Sequence, residues 1–242
     1  MVKVLAIIPT YNESENVAEL LFRLDKVRDR LNDRYSIDIL IVDDSSPDKT
    51  AELVNSLRIQ NLSVLTRNKK SGLGPAYLAG FNLGLKGDYH YFVQMDADLS
   101  HMPEQLELLL SQASTQCLVI GTRWMQGGSV VNWPFHRRSI SKLGTKYAAV
   151  ALNLDCKDLT SGYRVLPIEL LKTLDLTDIK TNGYGFQIEM AWRAHNAGFE
   201  ITQVPITFTE RENGRSKMGT RIVWEAWLNV SIWGFRRITS RR

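Results

Sequence analysis

Cysteine is close to absent from this 242-residue chain: only Cys117 and Cys156 occur, too few for a disulfide framework and without a CxxC spacing. A reducing compartment is therefore expected. No run reaches the roughly 18 apolar residues needed to cross a bilayer, and the apolar stretch 4–8 is too short for a signal peptide. Neither a G-x-G-x-x-G nor a Walker motif follows the first apolar segment, which argues against a dinucleotide or P-loop protein. The four histidines, His90, His101, His136 and His195, are scattered, so no zinc site is indicated. Internal repeats and low-complexity linkers are missing too, which argues against two independently folding domains. What is left is an ordinary globular composition, 44% hydrophobic and 23% charged.

Charge is present but uneven. From Pro205 onward there are eight Lys/Arg against three Asp/Glu, whereas the preceding 204 residues are nearly balanced at 22 against 23. The net positive charge sits in the tail, and a basic tail attracts phosphate, nucleic acid or acidic lipid.

Residues 2–9, 37–43, 62–67 and 89–95 read as strands, rich in Val, Ile, Leu and Tyr and almost continuously apolar. Helical patterns lie between them at about 15–32, 49–57 and 74–85. This alternation predicts an α/β fold, a Rossmann-like, mostly parallel sheet with helices on both faces. The second half is less regular: a strand at 118–123, helices at 137–152 and 185–197, and a strand at 200–209 with Pro205 near an edge. Ligands of such sheets bind beyond the carboxyl ends of the strands. Three of the first four strands end in polar stretches, PTYNE (9–13), VDDSSPDKT (42–50) and QMDADLS (94–100), which would converge on one crevice.

Each motif has a plain and a chemical reading. Asp96 and Asp98 end a buried strand, where unpaired carboxylates cost several kcal/mol, so they need a cation, donors or solvent. A cap or Asx-turn before a helix starting near Pro103 would also use an aspartate. Asp43 and Asp44 suit a ribose or base edge, or are solvated beside a helix capped by Ser46 or Asp48. Tyr11 can stack on a ring and Glu13 can accept from ring nitrogens or ribose hydroxyls, or Asn12 or Ser14 simply caps the next helix. RNKKSGLGPAYLAG (67–80) reads as a basic turn opening a helix. Taken together, two carboxylates facing a nucleotide suit a hard divalent cation bridging a diphosphate.

The order PTYNE, VDDSSPDKT, RNKKSGLGPAYLAG, MDADLSHMPE, GTRW, W-x3-R-x3-S, DLTSGYR, GYGFQIEM and PITFTERENGRSK resembles the polyprenol-phosphate (dolichol-phosphate) mannosyltransferases, inverting nucleotide-sugar transferases of type-A fold. The resemblance covers essentially the whole chain. It implies transfer of mannose from GDP-mannose to a polyprenyl or dolichyl monophosphate, with inversion from α to β and departure of GDP. It places Pro9, Tyr11, Glu13, Asp44 and, beside them, Asp43 around the guanosine. Asp96 and Asp98 would hold Mg2+ or Mn2+ against the diphosphate; where some relatives add a Gln as ligand, this chain has Ser100, and water would substitute. Asp98, Arg123 and Arg137 are the implied catalytic residues, and Arg123, Arg137 and Ser141 would hold the acceptor phosphate. Gln187 and Glu189 would face the sugar, and Arg211 and Lys217 would belong to a basic loop closing over both substrates.

The segment 222–235 carries Trp224, Trp227, Leu228, Ile232, Trp233 and Phe235, with Arg221, Glu225, Asn229 and Arg236 along one side of a helix. Such a helix either packs on the catalytic core or lies on a membrane surface. The expected organisation is a catalytic domain over 1–210, followed by the basic loop and amphipathic helix over 211–242, attached peripherally to the cytoplasmic face of a membrane. A UDP-glucose-dependent transferase acting on the same lipid phosphate is the nearest alternative. A basic nucleic-acid-binding module is disfavoured, because the positive charge is confined to one end and no recognition motif appears; no nucleic-acid partner is expected.

Overall fold

The run VKVLAIIPT forms the central strand because both of its faces are buried: Val4, Ala6 and Ile8 enter one core, Leu5 and Ile7 the other. The computed structural model describes residues 1–210 and 220–239, apart from the side chains at 220–223 and 238. Beside β1 (Val2–Thr10) lies β2 (Tyr35–Asp43), with β3 (Leu62–Thr66) beyond it and β4 (Tyr91–Gln94) on the other flank, all parallel. The sheet continues through β7 (Arg164–Pro167), antiparallel to both β4 and β5 (Cys117–Thr122), and ends with β8 (Glu200–Pro205), parallel to β5. The seven-stranded order is β3-β2-β1-β4-β7-β5-β8. A second, two-stranded parallel sheet joins β6 (Ser129–Val131) to β9 (Thr207–Thr209).

Helices cover both faces, as expected. On one side α1 (Val17–Leu31) buries Leu20, Leu21, Leu24, Val27 and Leu31, spaced three or four apart, along with α2 (Thr50–Ser56) and α4 (Leu106–Leu110). On the other lie α3 (Leu73–Gly84), α5 (Phe135–Leu152), α6 (Ile168–Thr173), α7 (Gly183–Asn196) and α8 (Thr220–Thr239). A Cβ at Gly80 would come within 2.6 Å of Ile7, so only glycine lets α3 rest this close to β1. The last three long helices lie side by side and run the same way: Tyr147 stacks on Trp227, Gly234 rests on Ala151, Gly185 lies against Ala226 and Trp192 stacks on Trp233.

The strand at 129–131 and the helix at 168–173 were not expected from the sequence, and two further details differ from that reading. Residues 164–167 form a strand that was not expected, because four residues are too few to show a period. The predicted strand 200–209 is two strands: at Ile206, whose N–H donates to the Thr122 carbonyl, the chain leaves the main sheet and enters the small one.

The order places β2 and β4 on opposite flanks of β1, which makes a topological switch point at the carboxyl ends of β1 and β4. Because β7 runs the other way, its beginning rather than its end meets the same edge. PTYNE, DAD, GTRW and SGYR are thereby drawn together.

Candidate active site

Strand-end geometry decides what each carboxylate can do. At the end of β2, Asp43 is almost wholly buried; its Oδ1 accepts from Thr10 Oγ1 (2.9 Å) and Ser46 Oγ (2.5 Å) and its Oδ2 from the Ser46 N–H (2.9 Å). Asp43 therefore braces the loop between β2 and α2. Asp44 is ion-paired with Arg67 at 2.8 Å and accepts the Ser71 N–H at 3.0 Å, tying that loop to the basic turn before α3. In the adjoining segment after β1, Glu13 accepts from Asn16 Nδ2 at 3.0 Å, and the Lys70 ammonium lies 4.0 Å over the Tyr11 ring. Pro9 lies within the last turn of β1 beside Val42.

The DAD segment turns sharply after β4. Leu99 adopts a left-handed conformation (φ 61°), a backbone state that costs a non-glycine residue on the order of 1 kcal/mol. The turn is held because Ser100 donates both its N–H (3.1 Å) and its hydroxyl (2.5 Å) to Asp98 Oδ1. Ser100 thus serves Asp98 directly. His101, buried, accepts the Asp96 N–H on Nδ1 at 3.0 Å, so that nitrogen carries no proton and its 3.7 Å approach to Asp96 Oδ2 is no ion pair. Burial, only partly countered by the nearby aspartates, pulls the His101 pKa below its ordinary value and keeps the ring neutral. The ring stacks on Tyr163 at 5.0 Å and meets Phe208 edge-on.

Opposite these aspartates stands SGYR. A Cβ on Gly162 would sit 3.4 Å from Asp96 Oδ1, 3.4 Å from His101 and 3.5 Å from Gln187 Nε2, so glycine leaves the space between them open. Gln187 is buried, and among the described residues neither its oxygen nor its nitrogen has a partner. An unpartnered amide in such a place calls for a polar ligand or water. Arg164, fully buried, donates to the carbonyls of Ser161, Gln187 and Leu159 at 2.7–2.8 Å. It locks SGYR to α7; burial brings its pKa down to about 10, leaving it charged at neutral pH. Glu189 is committed elsewhere, accepting from Thr181 and Arg193.

The arginines divide into two kinds. Arg123 is buried in a bidentate pair with Asp158 (2.6 and 2.7 Å), adds Thr160 at 2.8 Å and is ringed by Trp124, Trp133 and Phe208. Burial alone would lower its pKa, but the charge and hydrogen bonds of Asp158 hold it above the ordinary value. Arg137, one third exposed, stacks over Trp133 and pairs with Glu210 at 2.5 Å. Arg137 and Ser141 stand at the rim of a cavity of about 220 Å3 enclosed by α5, α7 and α8, walled by Tyr147, Ile188, Ala226 and Val230. Arg211 and Lys217 lie outside the described residues. Sequence reasoning assigned no role to Asp158, Glu210 or Lys70; Asp158 stood in DLTSGYR, but nothing in the sequence tied it to a residue 35 positions away.

A carboxylate pair at one strand end is a fit ligand set for a hard divalent ion that also binds phosphate oxygens, since such ions commonly take only one or two protein carboxylates. Among the described residues no group of three or more His, Cys, Asp or Glu side chains could enclose a metal by itself. Cys156 is no candidate nucleophile: burial raises its thiol to about 11.

Residues 5–175 match the family model described as glycosyl transferase family 2. The chain is 47% identical to the undecaprenyl-phosphate mannosyltransferase of Micrococcus luteus over 96% of its own length and 94% of that protein. It is 43% identical to the polyprenol monophosphomannose synthase of Mycolicibacterium smegmatis, over 97% and 88%. Among solved structures, the glucosyl-3-phosphoglycerate synthase of Mycobacterium tuberculosis in complex with Mn2+, UDP and glucosyl-3-phosphoglycerate superposes with a TM-score of 0.65 at 16% identity, covering 95% of this chain and 80% of that one. That likeness concerns the fold, which is the type-A glycosyltransferase fold. The chain belongs to glycosyl transferase family 2, and within it to the polyprenyl-phosphate mannosyltransferases.

Proposed function

We propose that this glycosyltransferase moves mannose from GDP-mannose to a polyprenyl monophosphate, with inversion at the anomeric carbon. The observation that carries the acceptor is Arg137 with Ser141 at the rim of the apolar cavity between α5, α7 and α8. A cation at the mouth of an apolar pocket fits a phosphate with a hydrocarbon chain behind it; a small hydrophilic acceptor gives no reason for such walls. A phosphomonoester, with its second pKa near ~6, is largely dianionic at neutral pH and attacks without a strong general base. The demand on the protein is to bring two anions together.

On this reading Pro9, Tyr11, Glu13 and Asp44 receive the nucleoside, with Asp43 holding their loop in place. Gln187, its amide unpartnered, meets sugar hydroxyls across the gap left by Gly162. Asp96 and Asp98 would hold Mg2+ or Mn2+, which when bound neutralises the diphosphate and favours its departure. Arg137 exchanges Glu210 for the acceptor phosphate, Arg123 keeps that arginine's Trp133 platform rigid and offers its own charge, and Arg211 and Lys217 add cationic charge over both substrates.

Membrane contact rests on α8 and α5. Ala226 and Val230 of α8 are buried against the core, yet Trp224, Leu228, Ile232 and Phe235 are exposed on another face, beside Phe135, Ile140, Leu143 and Val150 of α5. Both sequence readings of this helix thus have structural support, one for each face. Among the described residues no helix is long and apolar enough to cross a membrane. The exposed band suits a helix lying in the interface.

The deciding experiment is a donor panel with a short-chain polyprenyl phosphate, with and without divalent metal. GDP-mannose turnover abolished by EDTA is expected. Preference for UDP-glucose would replace the donor, and undiminished activity in EDTA would remove the metal.

A further inference from the structure

The far ends of α7 and α8 carry a group of cations that the transfer reaction does not use. Two adjoining clefts, of about 450 and 380 Å3, share Trp192, Asn196 and Arg236. Arg193 lines the first, and His195 and Arg237 line the second; neither is lined by any Asp or Glu among the described residues. Arg193 is already paired with Glu189 at 2.7 Å, so among the described residues the uncommitted charge is that of Arg236 and Arg237. Trp192, which lines both clefts, stacks at 5.2 Å on Trp233, which lines the first. Guanidinium groups lining clefts that hold no acid among the described residues favour an anion. The carboxyl ends of the two helices work against this, each contributing about half a negative charge, and two arginines outweigh them.

We propose that this cleft is a binding site for the phosphate headgroup of an anionic phospholipid in the bilayer on which the enzyme works. The assignment to a lipid rather than a free anion follows from continuity. Phe235, exposed, is the neighbour of Arg236 in sequence, and together with Ile232 and Leu228 it extends the apolar band of α8 up to the cleft. Indole and guanidinium groups at the edge of an apolar face occupy the headgroup level of a membrane. A lipid held here would fix α8 at its end remote from Arg137 and Ser141, setting the tilt at which the acceptor cavity meets the bilayer. The inference rests on membrane docking through α5 and α8, and the test separates the two.

The probe is co-sedimentation of the full chain with vesicles of phosphatidylcholine alone and of phosphatidylcholine containing phosphatidylglycerol, at constant salt. Wild-type protein should bind the mixed vesicles more tightly. The double substitution Arg236→Gln/Arg237→Gln should weaken that binding about thirtyfold, at about five- to sixfold per basic residue, while leaving binding to pure phosphatidylcholine and turnover of a water-soluble short-chain acceptor as in the wild type. A matched control, Lys26→Gln/Arg30→Gln on α1, should change little. Equal losses in control and double variant would reduce the effect to net charge and overturn the site. Displacement of the protein from mixed vesicles by millimolar glycerol phosphate would make it a free-anion site and overturn the lipid assignment. If neither vesicle binds wild-type protein, membrane docking itself fails, and the site with it.

Discussion

The two arginine pairs beside Trp133 use the same residue types and differ in what they do. Arg123–Asp158 is sealed, 4% and 0% exposed, and Arg137–Glu210 is one third open, 33% and 34%. A sealed pair has given up its water and cannot be opened without stranding a charge; an open pair exchanges partners at little cost. The same residue type is thus a fixed support in one place and a replaceable contact in the other. The lesson extends to the aspartates: Asp43, wholly satisfied by Thr10 and Ser46, holds a loop, whereas Asp96, 31% exposed, faces the crevice.

The comparison can be broken at four places. Asp158→Ala should strand Arg123 and cost about 3–5 kcal/mol, a loss of about 10 °C or more in melting temperature for a chain of this size; a calorimetric Tm unchanged by the substitution would show that the pair is not sealed. Asp98→Asn keeps an acceptor for Ser100 but removes the charge. Turnover should fall about a hundred- to a thousandfold with Tm preserved, and near-wild-type rates at saturating Mn2+ would take Asp98 out of the site.

Arg137→Ala should cost about 1.5–3 kcal/mol in acceptor use, read as a ten- to hundredfold fall in kcat/KM for the polyprenyl phosphate with donor affinity unmoved. A fall in GDP-mannose affinity alone would assign this arginine to the donor. The smallest change is expected of Glu210→Gln: less than about 1 kcal/mol of stability, with an acceptor KM lowered a few-fold because the phosphate no longer competes with a carboxylate. A Tm drop as large as that of Asp158→Ala would erase the distinction between the two pairs.

The crevice at the ends of β1, β2 and β4 was legible because each of its motifs is local. A buried parallel strand must be apolar throughout, so its end is marked by the first polar residues, and PTYNE, VDDSS and MDADLS announce both the strand and the crevice. The family resemblance singled out Arg123 and Arg137, but residue type could not say that Arg123 would be locked to Asp158 while Arg137 pairs with Glu210 in the open. Nor could it say that Asp43 and Ser100 would be spent on holding turns.

Sequence by itself determined the α/β class, the polar strand ends that converge on one edge of the sheet, and the family. These follow from periodicity over ten or more residues and from short contiguous motifs, both of which survive without knowledge of the fold. Tertiary structure alone decided the antiparallel insertion of β7, the pairing of Arg123 with Asp158, the cavity behind Arg137, and the two faces of α8. Each of these depends on contacts between residues tens of positions apart, and burial, which fixes the worth of a charge, belongs to the packed molecule and not to the chain.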